Sequence, residues 1–129
     1  MTIVTMFGRT RGCRHTADAV TRGPRSSFDR HCRHYNALHA KTFEDIVAFH
    51  VAFERIHPFQ DGTGRVGRLI LFKECLKNNI VPFIIEDNLK LFYYRGLKEW
   101  DYEKGFLMDT CLTAQDRFKA YLDYFRILY

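Results

Sequence analysis

The 129-residue chain lacks an apolar run long enough to cross a membrane, and it lacks the basic and apolar regions of a secretory signal. These two absences favour a cytoplasmic protein. Cysteine is scarce and scattered, which is not the pattern of a disulfide-rich scaffold. Cys75 and Cys111 fall within helical patterns, and we expect both to be buried thiols.

Residues 1–33 contain no Leu, Lys, Glu, Gln or Asn. They hold seven Arg and two Asp, so their net charge of +5 equals that of the whole chain. The basic character therefore belongs to an atypical Arg-rich N-terminal segment, for which we expect disorder, while residues 34–129 are predicted to form the folded core. The abrupt change of composition near Arg33 predicts a truncated or frame-shifted start of the coding sequence.

Two other interpretations of this segment are disfavoured. Cys13 and His15 are separated by one residue, as are Cys32 and His34, and Cys–His pairs can hold zinc. This spacing is not that of a zinc finger, and no apolar scaffold surrounds the pairs. An Arg-rich segment can also bind nucleic acid, but this one has few interleaved aromatic residues and no recognisable reading helix.

The remaining composition suits one compact helical domain. Hydrophobic residues make up 47% of the chain and aromatic residues 16%. Apolar residues recur at helical spacing and predict helices over residues 43–56, 65–78, 89–100 and 104–128, the last either continuous or broken near Gly105. Residues 81–85 are predicted to be an extended connector because Pro82 fixes its own φ and lacks a donor. The fold class is therefore all-α, with one short strand expected at residues 2–7.

The ends of the helix predicted at residues 43–56 carry their own signals. Thr42 and Asp45 have the spacing of a capping pair at its start. Pro58 biases the residue before it away from helical geometry, so the helix should end near His57.

The segment that follows combines an imidazole, a carboxylate, a glycine-rich turn and two guanidinium groups. Its sequence is His57-Pro58-Phe59-Gln60-Asp61-Gly62-Thr63-Gly64-Arg65-Val66-Gly67-Arg68. The turn at residues 61–64 brings backbone N–H groups to the start of the next helix, which favours anion binding. Arg65 and Arg68 project from one face of that helix, where two guanidinium groups suit phosphate oxygens. Asp61 would repel a bare phosphate, so we expect a divalent cation between them. His57 can accept a proton near neutral pH.

A purely structural interpretation of the same residues stays open. His57 can cap the C-terminus of one helix and Asp61 the N-terminus of the next, and surface arginines usually face only water. For any single residue this interpretation is favoured. The combination in this order within one loop favours a site for a nucleotide polyphosphate instead.

The segment resembles the signature of the Fic (filamentation induced by cAMP) family, HPFx[D/E]GNGRxxR, with Thr63 where that family has Asn. Residues 49–56, 69–76, 81–85 and 91–97 are also similar to a bacterial branch of the family, so the resemblance covers residues 36–129. It implies a Fic-type helical bundle in which the signature loop joins two central helices, with short flap strands.

Family members with this type of signature transfer AMP from ATP to a hydroxyl side chain of a target protein and release pyrophosphate. The resemblance implies that His57 is the general base for the attacking Ser, Thr or Tyr. It also implies that Asp61 holds Mg²⁺ against the phosphates, and that Phe59 points into the core and anchors the loop.

The resemblance assigns the anion site as well. The backbone of Gly62, Thr63 and Gly64 would form the anion hole, and Arg65 and Arg68 would bind the leaving polyphosphate, with Arg68 at the γ-phosphate. Doc-type phosphotransferases carry Lys at the position of Gly64, so the glycine favours transfer of AMP over transfer of phosphate.

Thr63 is the departure within the signature. Asn offers an amide donor and tolerates left-handed backbone angles, whereas β-branched Thr would be strained at a positive φ. The departure implies a weakened transferase, or alternatively a degenerate member that binds nucleotide or a partner with little turnover. No flap hairpin and no inhibitory [S/T]xxxE[G/N] pattern is recognisable, so Arg68 is expected to be unrestrained, or restrained by a missing segment or a separate inhibitory protein.

Overall fold

The computed structural model of the chain describes residues 22–57 and 62–129, with side chains from Ser27 onward. Its elements are α1 (Arg22–Ala37), α2 (Phe43–Ile56), α3 (Thr63–Lys77), a 3-10 turn (Asp87–Leu89), α4 (Lys90–Lys98) and α5 (Gly105–Tyr124). These residues contain helices and no strand, which confirms the predicted all-α fold. The strand expected at residues 2–7 lies outside the described ranges.

Helix α2 has the bounds that the sequence predicts. The Thr42 hydroxyl accepts a hydrogen bond from the Asp45 N–H at 3.2 Å, and the Asp45 carboxylate accepts one from the Thr42 N–H at 2.9 Å. This reciprocal capping box satisfies two N–H groups that the helix itself cannot pair. At the other end His57 takes a left-handed conformation, with φ 53°, and ends the helix.

Helix α3 begins two residues earlier than predicted. Gly62 has φ 76° and precedes the first helical residue, so Thr63 and Gly64 belong to the helix and not to the turn. The prediction of a turn through residue 64 is therefore wrong. One glycine in the left-handed region is enough to redirect the chain, so the helix can begin directly after it. The helix ends, as predicted, at the Asn pair, where the Asn78 amide donates to the Glu74 carbonyl at 2.8 Å.

The later predicted helices also form, but they are shorter. Residues 87–89 form the 3-10 turn instead of the start of α4, and α5 is continuous from Gly105 and ends at Tyr124. Residues 81–85 connect α3 to the 3-10 turn without regular secondary structure, which is compatible with the predicted connector.

Helix α1 crosses the boundary predicted between residues 33 and 34. Residues 22–33 of the Arg-rich segment form most of this helix. Phe28 packs edge-on against Phe53 with ring centroids 5.8 Å apart, and Tyr35 stacks on Phe49 at 4.5 Å. Cys32 lies between them on the same face and is fully buried. The spacing of these residues therefore places α1 on α2, and the domain division itself stays a prediction.

The core is formed mainly where α2 meets α1 and α3, and where α4 meets α5. Its buried apolar members are Cys32, Tyr35, Ile46, Val47, Phe49, Val51, Phe53, Ile70, Leu71, Cys75, Phe83, Leu89, Tyr93, Trp100, Leu107, Cys111 and Ala114. Cys75 and Cys111 are buried free thiols, as predicted. Burial raises the pKa of each to about 12, so both stay protonated.

The described ranges lack a membrane-spanning helix and a cluster of metal ligands. None of their helices is both long enough and apolar enough to span a bilayer. No group of three or more potential metal ligands occurs among those residues either.

Candidate active site

The C-terminus of α2 presents the imidazole that the sequence singles out. The His57 N–H donates to the Phe53 carbonyl at 3.2 Å, which fixes the backbone of the last turn. The His57 side chain is exposed, so its ring nitrogens are open to a reactant. Phe59 and Asp61, predicted as the loop anchor and the metal ligand, lie outside the described residues.

The N-terminus of α3 faces the same loop. Its first intrahelical hydrogen bond runs from the Val66 N–H to the Gly62 carbonyl at 3.0 Å. The N–H groups of Gly64 and Arg65 come before that bond and point out of the helix end. No acidic residue lies in the first turn of the helix. No carboxylate in this turn therefore competes with an anion for the positive end of the helix dipole.

Both predicted arginines belong to this end of α3. The Arg68 guanidinium folds back over the first turn, so that a β-carbon built on Gly64 would stand 3.3 Å from its Nη1 atom. Arg65 is exposed and Arg68 is half-buried. Together they border a cavity of about 540 Å³. The other residues around it are Leu69, Leu71, Phe72, Phe83, Ile84 and Ile85. Two cationic groups thus stand beside a largely apolar cavity.

Glu54 links the two sides of the site. This side chain, in the last turn of α2, is half-buried, and burial raises its pKa while the charges of Arg68 and His57 oppose the rise. Arg68 and His57 therefore both lie within electrostatic range of one carboxylate. His57 does not border the cavity beside the arginines, among the residues described around it.

Thr63 does not have the backbone conformation that was expected to strain it. The left-handed residue at this junction is Gly62, and Thr63 is the first residue of α3 with ordinary helical geometry. The strain that a positive φ would cause at Thr63 is therefore absent. Thr63 is only 2% exposed, so its side chain is packed into the protein. A β-branched residue is compatible with this position because the glycine before it makes the sharp turn.

The sequence analysis did not predict a buried polar pair, His50 and Tyr93, that contacts α3. His50 is 2% exposed and donates or accepts through both ring nitrogens: Nδ1 lies 3.2 Å from the Gly67 carbonyl, and Nε2 lies 2.6 Å from the Tyr93 hydroxyl. Burial lowers the pKa of His50 to about 4, against a smaller opposite effect of the Gly67 hydrogen bond, so the ring is neutral. One signal for this pair was present in the sequence. His50 lies within the apolar stripe of α2, and a buried histidine requires a hydrogen-bond partner.

Two comparisons with known proteins give matches. A model of the Fic/DOC family matches residues 6–74, which is more than half of the chain. This match begins further towards the N-terminus than the resemblance described above, and it does not include residues 75–129. Over 53 residues the chain is 40% identical to a "Probable protein adenylyltransferase" of Aquifex aeolicus (strain VF5). The alignment covers 41% of this chain and 16% of the relative, so the chain spans a small part of that protein's length.

Proposed function

Since the chain belongs to the Fic/DOC family, we propose that it is a protein adenylyltransferase that transfers AMP from ATP to a Ser, Thr or Tyr hydroxyl of a target protein. The observation that carries the proposal is the Arg68 guanidinium folded over the N-terminus of α3, with Arg65 in the first turn of that helix and the exposed His57 at the end of α2. ATP as co-substrate suits a cytoplasmic location.

The polyphosphate would lie across the start of α3. The backbone N–H groups of Gly62, Thr63 and Gly64 form the anion hole, and they are held by the helix and need not reorganise during the reaction. Arg65 and Arg68 bind the leaving phosphates through charge-assisted hydrogen bonds, with Arg68 at the γ-phosphate. Negative charge grows on the pyrophosphate as it leaves, so these donors stabilise the transition state more than the ground state.

His57 acts as the general base in this scheme. Its imidazole takes the proton of the target hydroxyl while the hydroxyl oxygen forms a bond to the α-phosphorus. The bond between the α-phosphorus and the bridging oxygen of pyrophosphate breaks, and its electrons leave with pyrophosphate. The exposed position of His57 fits this role, because the hydroxyl comes from a second protein and has to reach the base from outside.

Asp61 is the residue proposed to hold Mg²⁺. Magnesium in nucleotide enzymes is commonly held by one or two carboxylates together with the substrate phosphates, and a single carboxylate between His57 and Gly62 fits that pattern. When bound there, the ion would neutralise phosphate charge.

A degenerate member of the family, which binds nucleotide or a partner without significant turnover, is the alternative. The buried Thr63 favours it, because its side chain cannot supply the amide donor of the family's Asn. The loss of one such donor costs on the order of 10²- to 10³-fold in rate in enzymes with an oxyanion hole. We therefore propose weakened transfer and keep the Thr63 backbone N–H in the anion hole.

Labelled ATP distinguishes these functions. The wild-type chain and His57→Ala are incubated with ATP labelled at the α- or the γ-phosphate, together with candidate target proteins, and the protein-bound label is measured. His39→Ala is the matched control, because His39 is also exposed but lies in the connection between α1 and α2.

Label from the α-position only, lost in His57→Ala and retained in His39→Ala, is the expected result. Incorporation of label from the γ-position would instead show that the chain transfers phosphate and not AMP. If neither label is incorporated although ATP binds, the degenerate alternative holds.

A further inference from the structure

One face of α3 changes from cationic to apolar along the helix. Arg65 and Arg68 lie in its first two turns, and Leu69 and Phe72 follow at spacings that keep all four side chains on the same face. These four residues border the cavity of about 540 Å³, and Ile84 of the connector borders it from the other side. A cavity of roughly 300–1,000 Å³ is typical of small-molecule sites, so this one is large enough to hold a ligand.

The wall of this cavity is apolar except for the two guanidinium groups. Apart from Arg65 and Arg68, the described residues around it are all Leu, Ile or Phe, and none of them is acidic. The positive charge at one end is therefore not balanced by a carboxylate on the wall. Such a cavity complements a ligand that has a negative group at one end and an apolar body.

The walls of the cavity are held in place by the rest of the fold. Phe72 packs edge-on against Phe118 of α5, with ring centroids 5.8 Å apart. On the connector side, Gln115 donates from Nε2 to the Val81 carbonyl at 2.7 Å, and Phe83 is buried. A ligand that enters a site with fixed walls loses less affinity to the ordering of side chains.

The mouth of the cavity exposes large apolar side chains. Leu69 is 69% exposed and Ile84 is 57% exposed. Exposed apolar surface around a concave site is typical of a binding surface. A nucleotide does not account for it, because the ribose and the base present hydrogen-bonding groups and the only polar side chains on the wall are the two arginines. An alkyl chain leaves no polar group unpaired there.

We propose that this cavity binds a medium-chain fatty carboxylate, with the carboxylate on Arg65 and Arg68 and the alkyl chain between α3 and the connector. A guanidinium group can bind the two oxygens of a carboxylate through parallel hydrogen bonds. The chain would replace water against Leu69, Phe72 and Ile84. Since the same arginines are proposed to bind the leaving phosphates, such a ligand competes with nucleotide and restrains the transfer of AMP. This consequence rests on the proposed function, whereas the binding site does not.

The first experiment is a calorimetric titration of the full chain with hexanoate, octanoate and decanoate. Each added methylene that enters the cavity should strengthen binding by up to about fourfold. Equal affinity along the series would show that only the charge is bound, and the proposal would then be wrong. Decanol, which has the chain without the charge, should bind more weakly than decanoate. Equal binding of the two would also contradict the proposal.

Variants locate the chain and its charged end. Ile84→Ser shortens an exposed apolar side chain at the mouth and should weaken decanoate by about 4- to 20-fold, the equivalent of one to two methylenes, with pyrophosphate affinity unchanged. Leu91→Ser is the matched control, because Leu91 is 82% exposed and does not border the cavity. Equal losses in both variants would mean that the chain binds exposed apolar surface at large. Arg68→Ala should weaken decanoate and leave decanol unchanged.

A competition experiment separates this proposal from the proposed function. Decanoate should raise the apparent Kd of pyrophosphate, and decanol should not. If pyrophosphate binds and decanoate does not, the fatty carboxylate site fails and the proposed function stands. If decanoate binds but neither ATP nor pyrophosphate does, the site stands and the proposed function fails. Dimerisation in sedimentation that is lost in Ile84→Ser, without decanoate binding, would assign the surface to a second copy of the chain and overturn the proposal.

Discussion

Gly96 in α4 faces the backbone of Leu107 in α5 so closely that a β-carbon built on Gly96 would stand 2.7 Å from the Leu107 Cα atom. Real β-carbons do not approach backbone atoms to this distance, so the absence of a side chain allows the two helices to pack. The contact matters for the site because α4 also carries Tyr93, whose ring and hydroxyl lie against His50.

Gly96→Ala is therefore expected to lower the free energy of unfolding by about 1–3 kcal/mol, the usual cost of an overpacked core. The backbone of Leu107 cannot move aside as a flexible side chain can. Urea-induced unfolding followed by circular dichroism measures the effect. Gly105→Ala is the control, because its β-carbon would meet the exposed Glu103 carboxylate, which can rotate away. The hydrogen bond that this carboxylate accepts from the Gly105 N–H would be lost, but the higher helix preference of Ala offsets it, so stability should be nearly unchanged. Equal effects of the two changes would contradict this account.

Gly64→Ala tests the position of the Arg68 guanidinium. The new methyl group would lie 3.3 Å from Nη1, so the guanidinium must shift by a few tenths of an ångström. We expect weaker ATP binding, by less than the roughly 100-fold that a misplacement of about 1 Å can cause. Stability should be equal or higher, since Ala favours a helix over Gly by about 1 kcal/mol. Unchanged ATP affinity, measured by titration calorimetry beside Gly105→Ala, would show that Arg68 does not bind nucleotide from this position.

Thr63→Asn is expected to raise the transfer of AMP to the target or to the chain itself. It restores an amide donor at the anion hole, and the gain is bounded by the roughly 10²- to 10³-fold that one such donor contributes. Incorporation of label from the α-phosphate measures it. Thr63→Ser is the control, because it shortens the buried side chain without adding an amide. No gain in Thr63→Asn, with ATP bound as tightly as in wild type, would count against the assigned role.

The buried His50 makes stability depend on pH. Its pKa is about 4 in the folded protein and 6.5 as an ordinary value, so between these values the unfolded chain binds a proton that the folded chain does not. The free energy of unfolding should therefore fall as the pH drops from 6.5 towards 4. Burial raises the pKa of Glu54 and acts in the opposite sense above the ordinary value of 4.5, so the wild-type slope contains both effects.

The comparison of wild type with His50→Gln isolates the histidine. Gln does not titrate, so its slope against pH in this window should lack the histidine contribution, on the order of 1 kcal/mol for each pH unit. Urea unfolding at several pH values between about 4 and 6.5 provides both slopes. Parallel slopes would mean that His50 is protonated in the folded protein.

Several local features could be predicted because their causes lie within a few residues. Thr42 and Asp45 fix the start of α2, and Pro58 fixes its end near His57. The start of α3 was misplaced because the sequence around Gly62 shows two glycines that suit a turn, and only one of them takes a left-handed conformation. Backbone conformation at such a junction depends on the direction that the packed helices impose on the loop.

The motif of residues 57–68 by itself identified the groups that we propose to meet a polyphosphate, since it contains His57, Arg65 and Arg68 within one short segment of the chain. Only the tertiary structure decided which buried residues pair next to this segment. His50 and Tyr93 are 43 residues apart in the chain, and no local pattern pairs them. Their contact exists because the core excludes water from both side chains, and each buried polar atom is then satisfied only by the partner that helix packing brings to it.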